Sequence, residues 1–361
     1  VEKYKTVLYP ALEFTSLPDF LRERAGSYWE QYCFAAEKEG IKSETAVFDL
    51  MAPVWAVSDF VAESCVQYPQ ILHSLLESGD LSRRYEAGEY ATALRAFLTD
   101  ITTEEMLHTR LRLFRRREMV RIAWQDIMGA ADILTVLAML SNLAETCLQL
   151  ALDVLYERQC EKAGTPMDSE GNPQQLVVLG MGKLGAGELN FSSDIDLIFA
   201  YPREGRTGNG RPAAENHIFF NELVRKLIQS ISLQTVDGFV FRVDTRLRPF
   251  GDGGPLVMNF QQMLDYYESH GREWERYAWI KARPVAGDLA AGAVLLQEMV
   301  PFVYRRYIDY GAIDSLRRMK QLIVEEVRRK GFEDNIKLGA GGIREIEFIG
   351  QVFQLIRGGR L

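Results

Sequence analysis

Apolar residues recur at intervals of three and four through the first half of the chain. Ile71, Leu75 and Leu76 form one such set, and Leu134, Leu137, Leu140, Ala144 and Leu148 form another. This spacing keeps side chains on one helix face, and strand-like alternation is absent, so residues 1–165 are predicted to be almost wholly helical. Around 163–175 the pattern breaks. AGTPMDSEGNPQQ reads as a turn-rich connector, and LVVLG follows as a short buried strand. FSSDIDLIFAY predicts a second strand and DGFVFRVDTRLRPFG a third, with a helix over 218–233 between them. Composition marks REGRTGNGRPAAEN (203–216) as a flexible loop. From Asn259 the helical period returns. Asn259 and Gln262 have capping-box spacing, Gly271 is placed to stop that helix, and further helices are predicted over 272–282, 288–300, 314–330 and 343–357. The expected fold class is α+β. A helical region (1–165) precedes an α/β core (166–258), and a second helical region (259–361) follows.

Composition narrows the function classes. The chain has 361 residues, with 42 basic and 50 acidic side chains and a net charge of −8. With 19 Phe, 15 Tyr and 5 Trp, general disorder is excluded. The acidic balance argues against holding nucleic acid by bulk charge. Cys33, Cys65, Cys147 and Cys160 show no CxxC spacing, which speaks against a zinc site or a disulfide framework. His73, His108, His217 and His270 likewise have no ligand spacing. The opening VEKYKTVLYP lacks the pattern of a signal peptide, so a cytoplasmic setting is expected. The apolar run 130–155 carries Asp132, Asn142, Glu145 and Asp153 and reads as a buried helix, not a membrane span. Six arginines crowd 110–121 beside one glutamate. They predict a solvated helix face resting on aliphatic stems, or else a surface that meets phosphate or an acidic partner.

One stretch carries chemistry. In LVVLGMGKLGAGELNFSSDIDLIF (176–199) a strand runs into a turn containing Gly180, Gly182, Gly185 and Gly187. Such turns let backbone N–H groups approach phosphate. The turn is not a dinucleotide fingerprint, because no acidic residue follows at the end of a second parallel strand. It is not a Walker A loop either, because Leu184 follows Lys183. Asp194 and Asp196, at i and i+2 of a strand, point to one face while Ile195 and Leu197 face the core. Paired carboxylates suit Mg²⁺ or Mn²⁺, and solvated aspartates at a strand end are the alternative. In FRVDTRLRP, positions 242, 244, 246 and 248 alternate with apolar ones. Asp244 would be the third carboxylate of a two-metal site, and Arg246 and Arg248 would neutralise polyphosphate; a solvated edge strand is the alternative. Facing carboxylates should raise one another's pKa unless these arginines compensate. Glu275, Arg276, Lys281 and Arg283, and likewise Lys337, Arg344, Glu345 and Glu347, fit either substrate contact or salt-bridged support.

A glycine-rich turn, a DxD strand and a third Asp on a later strand resemble the DNA polymerase beta-like nucleotidyltransferase superfamily, with Lys183 standing where a small residue is usual. GMGKLGAGELNFSSDIDLIF, FRVDTRLRPFG, EWERYAWIKARP and KLGAGGIREIEFIGQ are similar, more specifically, to the bifunctional glutamine synthetase adenylyltransferase/adenylyl-removing enzymes. That family carries two nucleotidyltransferase halves, and NFSSDIDLIF with GGIREIEF resembles the N-terminal, adenylyl-removing one. The resemblance implies phosphorolysis of adenylyl-tyrosyl glutamine synthetase to ADP, with Asp194, Asp196 and Asp244 as catalytic residues holding Mg²⁺ (or Mn²⁺). It implies that Gly182, Lys183, Ser193, Arg246 and Arg248 bind nucleotide and phosphate. Glutamine synthetase and a PII-type signal protein are the implied partners, with no nucleic acid or membrane. An ATP-dependent adenylyltransferase and a non-catalytic, PII-responsive docking module are the alternatives.

Overall fold

The three- and four-residue spacing is realised in helices α1 (Asp19–Lys38), α2 (Thr45–Val57), α3 (Asp59–Gln67), α4 (Pro69–Ser78), α5 (Glu89–Phe97), α6 (Glu104–Ile127) and α7 (Ile133–Ala163). The structure, a computed structural model, describes residues 14–86, 88–208, 213–304, 320, 321, 325, 328, 329, 331 and 341–358. Ser58 and Thr103 side chains cap α3 and α6 by accepting from the backbone N–H groups of Val61 and Met106. The described chain divides into two compact units. One uses residues up to Ala151 together with Gly187–Ser193 and Ser230–Phe241; the other uses Leu152–Ala186, Asp194–Gln229 and the chain from Arg242 on.

The first unit packs α1 to α4 around Tyr32, Met51, Trp55, Val61, Leu72 and Leu75, all buried. The apolar run after Ala130 enters α7 and buries Val136, Leu140, Leu143, Ala144, Cys147 and Leu148. Among the described residues α7 is the one helix long and apolar enough to cross a membrane, but half of its most apolar window is buried. Burial also pushes the Cys65 and Cys147 thiols up to about 12, and all four cysteines are free.

The arginine-rich stretch corrects the expectation of a solvated face. Arg112 is buried, donating from Nε to Gly238 O at 2.8 Å and from Nη1 to His108 O and Ser230 O at 2.7 and 3.1 Å. Arg115 stands 5.8–5.9 Å from the ring centres of Phe60, Phe239 and Phe241. Arg117 pairs with Asp80 at 2.7 Å and with Glu118, and Arg121 pairs with Glu118 at 2.7 Å. Burial pushes the Asp80 carboxyl up, but hydrogen bonds from Arg117, Ser78 and Arg83 outweigh it and bring the carboxyl down to about 2. Because folding lowers this pKa, the stabilisation is complete above the ordinary carboxylate value of about 4 and is lost as pH falls toward about 2. Urea unfolding followed by tryptophan fluorescence between pH 5 and pH 2 is expected to fall more steeply for the native chain than for Asp80→Asn. Parallel curves would show that the pair contributes nothing.

The second unit is built on a five-stranded mixed sheet of β2 (Val177–Gly180), β3 (Ile195–Tyr201), β5 (Val243–Asp244), β6 (Val257–Asn259) and β7 (Arg283–Gly287), while β1 (Thr165–Asp168) and β4 (Gly205–Gly208) form a separate antiparallel pair. β2 lies between β3 and β7, antiparallel to both. The far edge of β3 is shared by two parallel strands, β5 at its start and β6 at its end. β2 and all but Asp196 of β3 are buried, as apolar strands covered on both faces should be. Helices α8 (Gly182–Gly185), α9 (Asn216–Ser232), α10 (Phe260–Ser269), α11 (Glu273–Trp279), α12 (Leu289–Val303) and α13 (Ile343–Gly358) complete the described elements. The Asn259–Gln262 capping box forms as expected, with Asn259 Oδ1 accepting from Gln262 N–H at 2.8 Å. The fold class is α+β. Four expectations change: 163–175 and 203–216 each contain a strand, the strand in 237–251 is only two residues long, and the helix over 272–282 stops at Trp279 before β7. The helix predicted over 314–330 lies almost entirely outside the described residues.

Candidate active site

The glycine turn is tied to the strand that follows it. β2 ends with Gly180 opposite Leu197, and Met181 N–H then donates to the backbone oxygen of Asp196 at 2.9 Å. Gly182 has φ +53°, and a Cβ there would stand 2.7 Å from Asp196 Oδ2. The left-handed backbone favours glycine, and the Asp196 carboxylate occupies the side where a Cβ would stand. A Cβ on Gly185 would lie 1.9 Å from Lys281 O and 2.4 Å from Gly180 O, so this glycine permits the turn to pack against the chain entering β7. Arg283, on β7, donates to Gly185 O at 3.0 Å and Leu184 O at 3.2 Å and so anchors the turn. Lys183 sits half-buried within the single turn of α8.

Asp196 and Asp244 are brought together. They are register partners on parallel β3 and β5, with Ile195 opposite Val243, and register partners share a face. Asp194 lies just before β3, and its Oδ1 accepts from Arg242 Nε. Among the described residues no three His, Cys, Asp or Glu side chains gather as a metal-binding set, and Asp194 and Asp244 are each paired with an arginine.

The expected polar strand face over 242–248 is corrected by the same geometry. Asp244 Oδ1 accepts from the backbone N–H of Arg246 at 2.9 Å, which turns the chain and ends β5. The Arg246 guanidinium folds back, with Nε 3.0 and 2.9 Å from the two Asp244 oxygens. That pairing, reinforced by the backbone N–H, holds the Asp244 carboxyl below the usual carboxylate range. At Asp244 the outcome is arginine compensation in place of a raised pKa. Arg248 is buried and donates to Thr245 O at 2.9 Å, Thr245 Oγ1 at 2.8 Å and Asp252 O at 3.2 Å, while its charge helps to lower the Asp244 carboxyl. These bonds hold the loop that follows β5. Ser193 is bound to the Asn190 side chain in the turn before the strand.

The outer charged residues mostly support the fold. Glu275 is buried, accepting from Tyr266 Oη at 2.8 Å and from the Arg272 N–H at 2.8 Å. Arg276 donates to Phe302 O, Lys281 pairs with Glu347 at 3.3 Å, and Glu345 pairs with Lys320 at 2.8 Å. Lys337 and the side chain of Arg344 lie outside the described residues. One residue acquires a role that sequence reasoning did not assign, Arg242 as the counter-ion of Asp194, and only the alternation around 242 hinted at it. Arg283, expected to serve either substrate contact or salt-bridged support, supports the turn through backbone carbonyls far earlier in the chain.

The model of the glutamate-ammonia ligase adenylyltransferase family matches residues 48–298, well over half of the chain, and a PII-uridylyltransferase model matches residues 317–360. A bifunctional glutamine synthetase adenylyltransferase/adenylyl-removing enzyme of Nitrosococcus oceani is 51% identical over 347 residues, covering 95% of this chain and 36% of that protein. Relatives of the same name from Pseudomonas aeruginosa and Thioalkalivibrio sulfidiphilus are 54% and 48% identical, covering 85% and 98% of this chain and 31% and 36% of their own lengths. The chain thus spans about a third of the length of these relatives. The family match takes in the glycine turn, both strands that carry Asp196 and Asp244, and the arginine that anchors the turn, and on that ground the chain belongs to the glutamate-ammonia ligase adenylyltransferase family.

Proposed function

We propose that this chain removes AMP from a tyrosine of adenylylated glutamine synthetase by phosphorolysis, releasing ADP and the free tyrosine. The observation that carries the reading is the register pairing of Asp196 with Asp244 beside the glycine turn, where Asp196 Oδ2 lies 2.7 Å from the place a Gly182 Cβ would take. The relatives' name supports the protein substrate, and the form of NFSSDIDLIF and GGIREIEF supports removal over attachment. An oxygen of inorganic phosphate attacks the α-phosphorus, the bond to the tyrosyl oxygen breaks, and the proton of hydrogen phosphate ends on the tyrosine. The protein's task is alignment and charge neutralisation.

Asp196 and Asp244, hard oxygen donors on neighbouring strands, suit Mg²⁺ or Mn²⁺, and Asp194 would join them on leaving Arg242. A cation bound there would neutralise phosphate oxygens. The turn at Gly182 and Lys183 would receive the nucleotide phosphates. The PII-uridylyltransferase match over 317–360 supports a PII-type signal protein as regulator.

The test is release of ADP from adenylylated glutamine synthetase, assayed with and without phosphate and with and without Mg²⁺. ADP release that requires both is the expected result. Transfer of AMP from ATP onto unmodified glutamine synthetase, with no ADP release, would replace the reading with the forward reaction. Binding of glutamine synthetase without turnover in either direction would make the chain a docking module.

A further inference from the structure

The glycine turn proposed to receive the phosphates is too short to hold its own shape. α8 is a single turn of four residues, begun and ended by glycine. Its closing backbone bonds run from Gly185 N–H to Met181 O at 3.0 Å and from Ala186 N–H to Gly182 O at 3.2 Å. One helical turn fixes many dihedral angles for few hydrogen bonds, and glycine has the most backbone freedom to lose. The form of the turn therefore depends on what grips it from outside.

Two strands grip it at one level. Gly180, the last residue of β2, is the register partner of Leu197 on β3 and of Arg283 on β7. On the β3 side Met181 N–H donates to Asp196 O at 2.9 Å, and Gly182 lies against the Asp196 carboxylate. On the β7 side the grip is a side chain. Arg283 Nε donates to Gly185 O at 3.0 Å, and its Nη2 donates to Leu184 O at 3.2 Å. A planar guanidinium meets two successive carbonyls in one fixed geometry, which an ammonium on a flexible stem does not. The chain just before it closes the remaining space, since a Cβ on Gly185 would stand 1.9 Å from Lys281 O.

We propose that Arg283 is a positioning residue for the attacking phosphate. Its fork fixes the far end of the turn, and that keeps the Gly182–Lys183 end in place beside Asp196. It touches no reacting atom. The inference rests on the phosphorolysis proposed above and on the turn as the element that receives phosphate.

The experiment is steady-state ADP release from adenylylated glutamine synthetase by the whole chain, with each substrate varied in turn. Arg283→Gln is expected to raise KM for phosphate about tenfold, the scale on which one charge-assisted hydrogen bond acts. KM for adenylylated glutamine synthetase should stay within twofold, and circular dichroism should match the native chain. Arg283→Lys, which keeps the charge but not the fork, should fall between. A purely structural role predicts a different split: the active fraction and kcat fall while both KM values hold. That outcome, or a native KM for phosphate in Arg283→Gln, overturns the inference and leaves phosphorolysis standing. If Arg283→Gln does not fold, a folded Arg283→Lys with the native KM for phosphate overturns it equally. If the native chain releases no ADP in response to phosphate, the phosphorolysis reading falls and this inference with it.

Discussion

Asp196→Asn is expected to lower phosphate-dependent release of ADP from adenylylated glutamine synthetase by a thousandfold or more, with the fold intact. Asp196 is held from three directions. Its backbone oxygen accepts from Met181 N–H at 2.9 Å, its register partner is Asp244, and its Oδ2 packs against Gly182, 2.7 Å from where a Cβ would stand. Asn keeps the volume and the strand, and the absent Cβ of Gly182 leaves room for the amide. Only the charge is lost. A reaction that gathers phosphate charge around this carboxylate and its cation forfeits ~4 kcal/mol of transition-state stabilisation, equivalent to about a thousandfold in rate. The same exchange at Asp194, half exposed and turned to Arg242, should cost less. Single-turnover ADP formation measures the effect, and circular dichroism reports the fold. Turnover within tenfold of the native rate would make Asp196 a structural residue.

What the sequence made legible was whatever left a local signature. The spacing of Ile71 and Leu75 announced a helix face because burial repeats with the helical turn, and the Asn259–Gln262 box was readable because both partners lie within one turn. The glycine turn and Asp196 could be found because glycine marks left-handed backbone and a charged residue interrupts an apolar strand. β7 was hidden because Pro284 and Gly287 read as punctuation. Proline is tolerated there because β7 is an edge strand with a register shift between Val178 and Leu179 opposite it. FRVDTRLRP misled because Arg–Asp–Arg–Arg alternates as a strand face would. The Asp244 carboxylate captures the Arg246 N–H and ends the strand after two residues, an event that alternation cannot register. The arginines of α6 looked solvated because Asp80 and the carbonyls of 230–238 are distant in sequence. Burial of a charge depends on partners that only folding supplies.

That dependence makes Glu118→Ala the substitution with the largest expected cost in stability, about 3–5 kcal/mol from the unit that contains α6. Glu118 and Arg121 side chains are both 0% exposed, joined by Arg121 Nε to Glu118 Oε2 at 2.7 Å. The other Glu118 oxygen takes Arg117 Nη1 and accepts from Tyr85 Oη at 3.3 Å. Arg117 reaches onward to Asp80, so two cations and two anions balance inside the packing. Truncating Glu118 leaves Arg121 buried with Tyr90 Oη and the face of Tyr85, 3.9 Å from its guanidinium, neither of which carries a countercharge. Desolvation of that unpaired charge, more than lost attraction, sets the size of the penalty. The distinction is testable. Glu118→Gln, which keeps volume and an acceptor, should fall between Ala and native. The double change Glu118→Leu with Arg121→Met, which removes both charges and fills the space, should recover most of the loss. Midpoints of urea unfolding for the four chains decide the matter: if the double variant is as unstable as Glu118→Ala, the packing of Glu118 and not its charge is what the helix requires.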